Sequence, residues 1–287
     1  MTTIARLRAD EAAAWRVADL FTLRFDPATT ACAVYEADGG WVVALYLDRA
    51  ARREAVRDLV AAAAGKAAAR SLEFETIADR DWIATSLAGL KPVEAGRFVV
   101  HGHHDRARVA INRVGIEIEA ALAFGTGHHG TTRGCLIAID RILKAQRPRR
   151  ILDLGTGSGV LAIAAAKARR TRVLASDIDR GAVAVARANT RANGVGSLID
   201  VVHTGGLDRR IFRARAYDLV LANILLGTLT CLAASMARLA APRSRVVLSG
   251  LLPAQARAAL AAYRAQGLAL ERRILLDGWV TLVLTRR

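Results

Sequence analysis

The stretch Ile151-Leu152-Asp153-Leu154-Gly155-Thr156-Gly157-Ser158-Gly159 runs from apolar residues through an acid into three alternating glycines. Glycine takes positive φ and lets the backbone approach a neighbour closely, so this pattern predicts a strand turning into a helix at Val160. A dinucleotide site would show G-x-G-x-x-G, but its sixth position here is Val160, which spoils that pattern. The next apolar run, Val173-Leu174-Ala175-Ser176, ends in Asp177, eighteen residues past Gly159. An ionised carboxylate at a strand tip can accept hydrogen bonds from both hydroxyls of a ribose. A solvated loop acid is the plain alternative, and it suits Asp179 equally well. A third apolar strand, 218–222, delivers Asn223 to the carboxyl edge of its sheet, where ligands bind in such architectures. The plain alternative for Asn223 is a turn residue.

A fourth segment precedes these: Leu122-Ala123-Phe124-Gly125-Thr126-Gly127-His128-His129-Gly130-Thr131-Thr132. Its glycines and small hydroxylated residues predict a loop pressed against a ligand that then caps a helix through Thr131 or Thr132. Neighbouring histidines rarely face one ion, and no carboxylate or cysteine stands at ligand spacing near His128 and His129. His101, His103 and His104 fall at a strand end in a polar loop, so no metal is expected at either cluster. A Ser-His-Asp arrangement is not assignable from spacing.

Residues 1–80 predict a small α/β unit. Strands at 2–7, 31–36, 41–47 and 72–77 alternate with helices at 10–21 and 50–64, and Asp38-Gly39-Gly40 marks a hairpin. The order βαββαβ describes the ferredoxin-like split βαβ unit. Residues 81–120 predict a linker with short strands at 97–101, 108–113 and 116–119. A connector runs over 79–96, with Trp82 as its anchor and Pro92 as a breaker. From 121 to 287, buried-strand runs at 151–154, 173–176, 217–221 and 246–248 alternate with helical runs at 160–168, 181–193, 229–240 and 254–266. That alternation predicts an α/β fold with a doubly wound parallel sheet. A hairpin over 270–285, turning at Asp277-Gly278, closes it.

Composition narrows the function classes. The 287 residues are 53% hydrophobic and 24% charged, an ordinary globular balance, and no apolar run approaches the ~20 residues of a membrane span. Charges follow Met1–Arg6 where a secretory signal would be apolar, and Cys32, Cys135 and Cys231 form no C-x-x-C. A soluble cytoplasmic protein without a disulfide framework is therefore expected. The net charge of +16 invites a nucleic-acid partner. Only four of the 42 basic residues are lysines, a bias spread along the whole chain, and aromatics are only 5%. With no stacking platform, no dedicated nucleic-acid site is expected, although attraction to a ribosome or another acidic assembly is compatible with the charge.

The glycine spacing after an acid resembles motif I of the class I methyltransferases. Base- and amide-directed members often follow the strand-end Asn with Pro-Pro-Tyr; Ile224-Leu225-Leu226 offers no ring, which favours a flexible aliphatic amine. Taken together, 123–132, Asp153–Gly159, Asp177–Asp179 and Asn223–Leu225 resemble the bacterial ribosomal protein L11 methyltransferases (PrmA) over essentially the whole chain. The resemblance implies contacts to S-adenosyl-L-methionine from Thr132, Gly155, Gly157, Asp177 and Asn223. It implies methylation of lysine side chains, and of the N-terminal amine, of L11, free or in the ribosome. It also implies an N-terminal domain that recognises that protein, and a monomer. The chain departs from the family at His128-His129-Gly130, where Thr-His-Pro is usual, and at Leu226 and Thr228 after Asn-Ile-Leu. An rRNA methyltransferase, or a ribosome-binding module with an inactive domain, are the alternatives.

Overall fold

Asp10 ends the first strand and starts the first helix by accepting the Ala13 amide hydrogen at 2.8 Å, a side-chain N-cap. A computed structural model describes residues 2–25, 30–37, 40–47, 53–77, 92–118, 130–207, 211–212 and 216–286. The chain divides into two units, Met1–Leu90 and Lys91–Arg287.

The first unit contains β1 (Thr2–Ala9), α1 (Glu11–Arg24), β2 (Ala31–Ala37), β3 (Gly40–Leu47), α2 (Arg53–Arg70) and β4 (Glu73–Ile77). Its sheet order is β2-β3-β1-β4 with every neighbouring pair antiparallel, the arrangement of a split βαβ unit. Inward residues Leu7, Val43 and Leu45 meet Val17 and Phe21 of α1 and Val56, Leu59 and Val60 of α2 in one core. Arg16 links the two helices by donating to the Ala63 carbonyl at 3.0 Å. The second helix runs past the expected end at Ala64 and kinks at Gly65, where φ is +90°. Asp38-Gly39 of the expected hairpin, and Trp82 with most of the 79–96 connector, lie outside the described residues.

The second unit begins with β5 (Val93–Ala95), β6 (Phe98–His101) and β7 (Val114–Glu117), a three-stranded sheet in that order. The short strands expected at 97–101 and 116–119 are β6 and β7, and Ala95, Phe98, Val100 and Ile116 belong to the unit's core. The strand expected at 108–113 is absent: His103–Arg108 is a 3-10 helix and a turn follows, closed by the Arg113 amide on the Ala110 carbonyl. Its β-branched residues find no neighbour to pair with, and Ile111 is fully exposed.

Then come α3 (Gly130–Ala145), β8 (Arg150–Leu154), α4 (Val160–Arg169), β9 (Arg172–Asp177), α5 (Arg180–Ala192), β10 (Ile199–His203), β11 (Tyr217–Asn223), α6 (Leu226–Leu239), β12 (Ala240–Leu251), α7 (Ala256–Arg264), β13 (Leu268–Leu276) and β14 (Trp279–Arg286). The sheet order is β10-β9-β8-β11-β12-β14-β13, parallel from β10 to β12, with β14 antiparallel to both its neighbours. Helices α3, α4 and α5 share one core with the sheet and α6 and α7 the other, so the sheet is doubly wound. The closing hairpin turns at Asp277 and Gly278, both at positive φ. Strand β10 was not expected from the sequence.

Candidate functional site

From β8 the chain crosses to β9 on one side; after β10 it returns to β11 on the other side of β8. That reversal opens a crevice at the carboxyl ends of β8 and β11, where open α/β sheets bind ligands. The residues singled out by spacing converge around it.

Gly155, Gly157 and Gly159 all take positive φ, at 64°, 54° and 83°. A Cβ on Gly155 would stand 2.4 Å from Ile224 Cγ2, and one on Gly250 would stand 2.7 Å from the Ile224 carbonyl oxygen. At Gly155 the close neighbour is thus the chain itself: Ile224 is wedged between the turns after β8 and β12, which fixes the bend at Asn223. The glycine turn is tied from below as well, since Asn189 Nδ2 donates to the Ser158 carbonyl at 2.8 Å.

Asp177 sits half-buried at the tip of β9. Its Oδ2 accepts the Gly157 amide hydrogen at 2.9 Å and its Oδ1 accepts that of Asp179 at 3.0 Å. Two backbone donors thereby fix the carboxylate beside the glycine turn. Asp179 is more than a solvated acid: it is the N-cap of α5, accepting from the Gly181 amide at 2.8 Å.

Asp153 lies beneath the turn and is buried. Its Oδ2 accepts from Thr156 Oγ1 at 2.6 Å and from the Ala162 amide at 3.2 Å. Its Oδ1 is buried without a partner among the described residues. Burial pushes this carboxyl up to about 6, against the pull of the Thr156 and Ala162 hydrogen bonds and with a smaller push from Asp177. A buried acceptor without a donor is costly, so the crevice floor suits a ligand that brings a donor or a positive charge.

Asn223 ends β11, with Nδ2 at 3.5 Å from both Thr131 Oγ1 and Thr132 Oγ1. Both threonines are buried inside the first turn of α3, which begins at Gly130; they line the crevice from within the helix and do not cap it. Ser249, opposite Asn223 in the register, donates to the Thr131 carbonyl at 3.2 Å and shares a 2.9 Å hydrogen bond with Thr281. Sequence reasoning missed Ser249, Thr281 and Asn189. For Ser249 a signal existed, because Ser249-Gly250 follows the apolar run 246–248 as Asp177 follows its own.

The loop residues Ala123 to His129, including His128 and His129, lie outside the described residues. His101, His103 and His104 reach separate partners: the Gly102 carbonyl, Glu117 and Asp105, at 2.8, 3.0 and 3.2 Å. Burial pushes the Glu117 carboxyl up, but hydrogen bonds from His103 and Arg106 outweigh it and hold it below its ordinary value. No group of three or more His, Cys, Asp or Glu among the described residues is placed to hold a metal ion. No helix among them is long and apolar enough to cross a membrane.

The family model for ribosomal protein L11 methyltransferase (PrmA) matches residues 22–287. A ribosomal protein L11 methyltransferase of Rhodopseudomonas palustris is 55% identical over 293 aligned positions, covering 100% of this chain and 99% of the relative. One of Bradyrhizobium diazoefficiens is 54% identical, covering 96% and 94%. Among solved structures, a ribosomal protein L11 methylase from Lactobacillus delbrueckii superposes with a TM-score of 0.62 at 26% identity, covering 69% of this chain and 100% of that one. With the family model spanning both units and the relatives spanning nearly the whole sequence, the chain belongs to the ribosomal protein L11 methyltransferase (PrmA) family.

Proposed function

We propose that this chain transfers methyl groups from S-adenosyl-L-methionine to amines of ribosomal protein L11 in the cytoplasm, lysine side chains above all. What supports this reading most is the convergence of Asp153, Asp177 and Asn223 on one crevice, in a chain whose relatives carry that name.

When bound, S-adenosyl-L-methionine supplies a methyl group on a cationic sulfur, open to in-line attack by an uncharged amine. The Asp177 carboxylate, already aimed by two backbone amides, would accept the ribose hydroxyls. The backbone of Gly155 and Gly157 would line the cofactor, and Asp153 Oδ1 would give its cationic end an acceptor. Thr132 and Asn223 would hold the methionine end; the Asn223 side-chain oxygen would accept an N–H of the incoming amine and aim its lone pair. That is catalysis by positioning, with no covalent enzyme intermediate. An amine with an ordinary pKa of about 10.4 must first lose its proton to solvent, which the apolar Ile224 beside Asn223 favours by desolvation; its nitrogen then bonds the methyl carbon as the carbon–sulfur bond breaks and S-adenosylhomocysteine would leave. The first unit, with its own core and sheet, is proposed to recognise L11 and present its amines.

Intact-mass spectrometry of L11 incubated with this chain and S-adenosyl-L-methionine, with rRNA as a parallel acceptor, tests the proposal. Mass gains on the protein in whole CH2 increments, located by fragmentation to lysines, are expected. Label entering RNA and none entering the protein would overturn the choice of substrate. No transfer to either, despite measured cofactor binding, would overturn the activity.

A further inference from the structure

We infer that the amino edge of the large sheet, opposite the crevice, is a docking surface for the phosphate backbone of RNA. Parallel strands start at one edge, so residues scattered in sequence collect there. Arg149 and Arg150 open β8, Arg170 and Arg172 open β9, and Arg147 and Arg243 lie in the turns before β8 and in the first residues of β12. All six are exposed.

Three observations set this cluster apart from the general arginine bias of the chain. First, the six come from separate stretches of sequence yet collect at one edge of the sheet, and none of their side chains is in an ion pair among the described residues. Asp218, the second residue of β11, faces main chain: its Oδ2 accepts the amide hydrogens of Arg149 and Arg150 at 2.7 and 3.0 Å. Second, Arg150 and Arg172 are directly paired in the β8–β9 register, and like charges so placed repel unless an anion lies over them. Thr171 draws the two runs together further by donating toward the Pro148 and Arg149 carbonyls at 3.4 and 3.3 Å. Third, the positive φ of Arg170, 51°, is that of a left-handed helix C-cap, but Arg243 holds positive φ, at 61°, away from any helix end. That conformation disfavours any side chain bearing a Cβ, and strained residues cluster where a surface does work.

Helix dipoles account for cations at Arg170 and Arg147, just past the ends of α4 and α3, but not for Arg150 and Arg172, which lie in strands. Four adjacent strand starts, from β9 to β12, span about 14 Å, several phosphates at about 3.4 Å of axis per charge on each strand. Arginine forks match phosphate in pairs of hydrogen bonds. Among the described residues, none of these strand starts carries an exposed large hydrophobic residue to enter a membrane or an exposed aromatic to stack on a base, so the contact is to backbone and not to sequence. The choice of RNA over other polyanions rests on the proposed activity, whose substrate is a protein of the ribosome.

The test measures fluorescence anisotropy of a two-turn RNA duplex with the full chain as salt is varied. Wild type is compared with an Arg149→Gln, Arg150→Gln, Arg172→Gln variant and with a charge-matched control, Arg257→Gln, Arg264→Gln, Arg272→Gln. Each arginine that meets a phosphate contributes about 0.9 to the salt slope, so the edge variant should lose up to about 2.7 and bind about tenfold or more weakly. The control should lose far less. Equal losses in the two variants, or none, would overturn the surface. Edge-dependent binding to phosphatidylserine vesicles with no binding to RNA would overturn the choice of partner. Methylation of free L11 is read in parallel: its absence in wild type would sink the proposed activity, while an edge-dependent RNA slope would still uphold the surface.

Discussion

The two ends of the seven-stranded sheet are made by the same strands and carry opposite chemistry. At the carboxyl ends lie Asp153, Asp177, Asn223 and Ser249, each held by backbone or hydroxyl partners within the fold. At the amino ends lie exposed arginines whose side chains are in no ion pair among the described residues. The carboxyl edge is thus an organised interior, shaped before any ligand arrives; the amino edge is a field of solvated charge. Preorganised polar groups suit a small molecule that must be placed to a fraction of an ångström. Loose cations suit a polyanion whose exact register is unimportant.

The contrast breaks most visibly at Asn223. Asn223→Ala should lower methyl transfer at saturating cofactor by about a hundredfold or more, the effect of misplacing reactants by an ångström. Full turnover in that variant would remove Asn223 from the mechanism.

Asp153 sharpens the comparison through pH. Its folded pKa of about 6 lies above the ordinary 3.8, so the folded state holds the proton more tightly. Its contribution to stability is therefore most favourable below about 4 and falls as pH rises through 6. Asp153→Asn has no such titration, so its unfolding free energy relative to wild type should rise by about 2 kcal/mol between pH 4 and 7.5. Parallel urea-stability profiles for the two proteins would show that burial does not act on this carboxyl.

A smaller effect is expected at Gly250, where φ is +82° and a Cβ would press on the Ile224 carbonyl. Gly250→Ala should cost about 2 kcal/mol in urea unfolding and weaken turnover as well, because Ile224 sets the bend at Asn223. The smallest change is expected at the amino edge. Arg150→Gln with Arg172→Gln should alter stability by no more than about 0.5 kcal/mol, with turnover on free L11 unchanged. A large loss of turnover there would mean that the two ends are coupled.

The carboxyl edge was legible in the sequence because β9 and β11 are apolar runs that stop on a polar residue, Asp177 and Asn223. The closing hairpin was legible from Asp277-Gly278. Strand β10 was not, since Ile199-Asp200-Val201-Val202-His203 is a half-polar edge strand and lacks the continuous apolar run of its neighbours. Around Val109 and Ile111, β-branched residues suggested a strand that tertiary context does not supply. The support under Asn223 was hidden as well: Thr131, Ser249 and Thr281 lie on three elements, and only packing joins them. The arginine edge was the least legible of all. Arginine is common everywhere in this chain, and only strand order shows which ones share a surface.

The central claim is that the cofactor lies at the carboxyl edge, against Asp177. Calorimetric titration of S-adenosylhomocysteine into wild type, Asp177→Ala and the Arg149/Arg150/Arg172 glutamine variant tests it most directly. Loss of hydrogen bonds to a charged group, at about 1.5–3 kcal/mol each, predicts at least a tenfold weaker constant for Asp177→Ala and an unchanged one for the arginine variant. Wild-type affinity in Asp177→Ala, or lost affinity in the arginine variant, would contradict it.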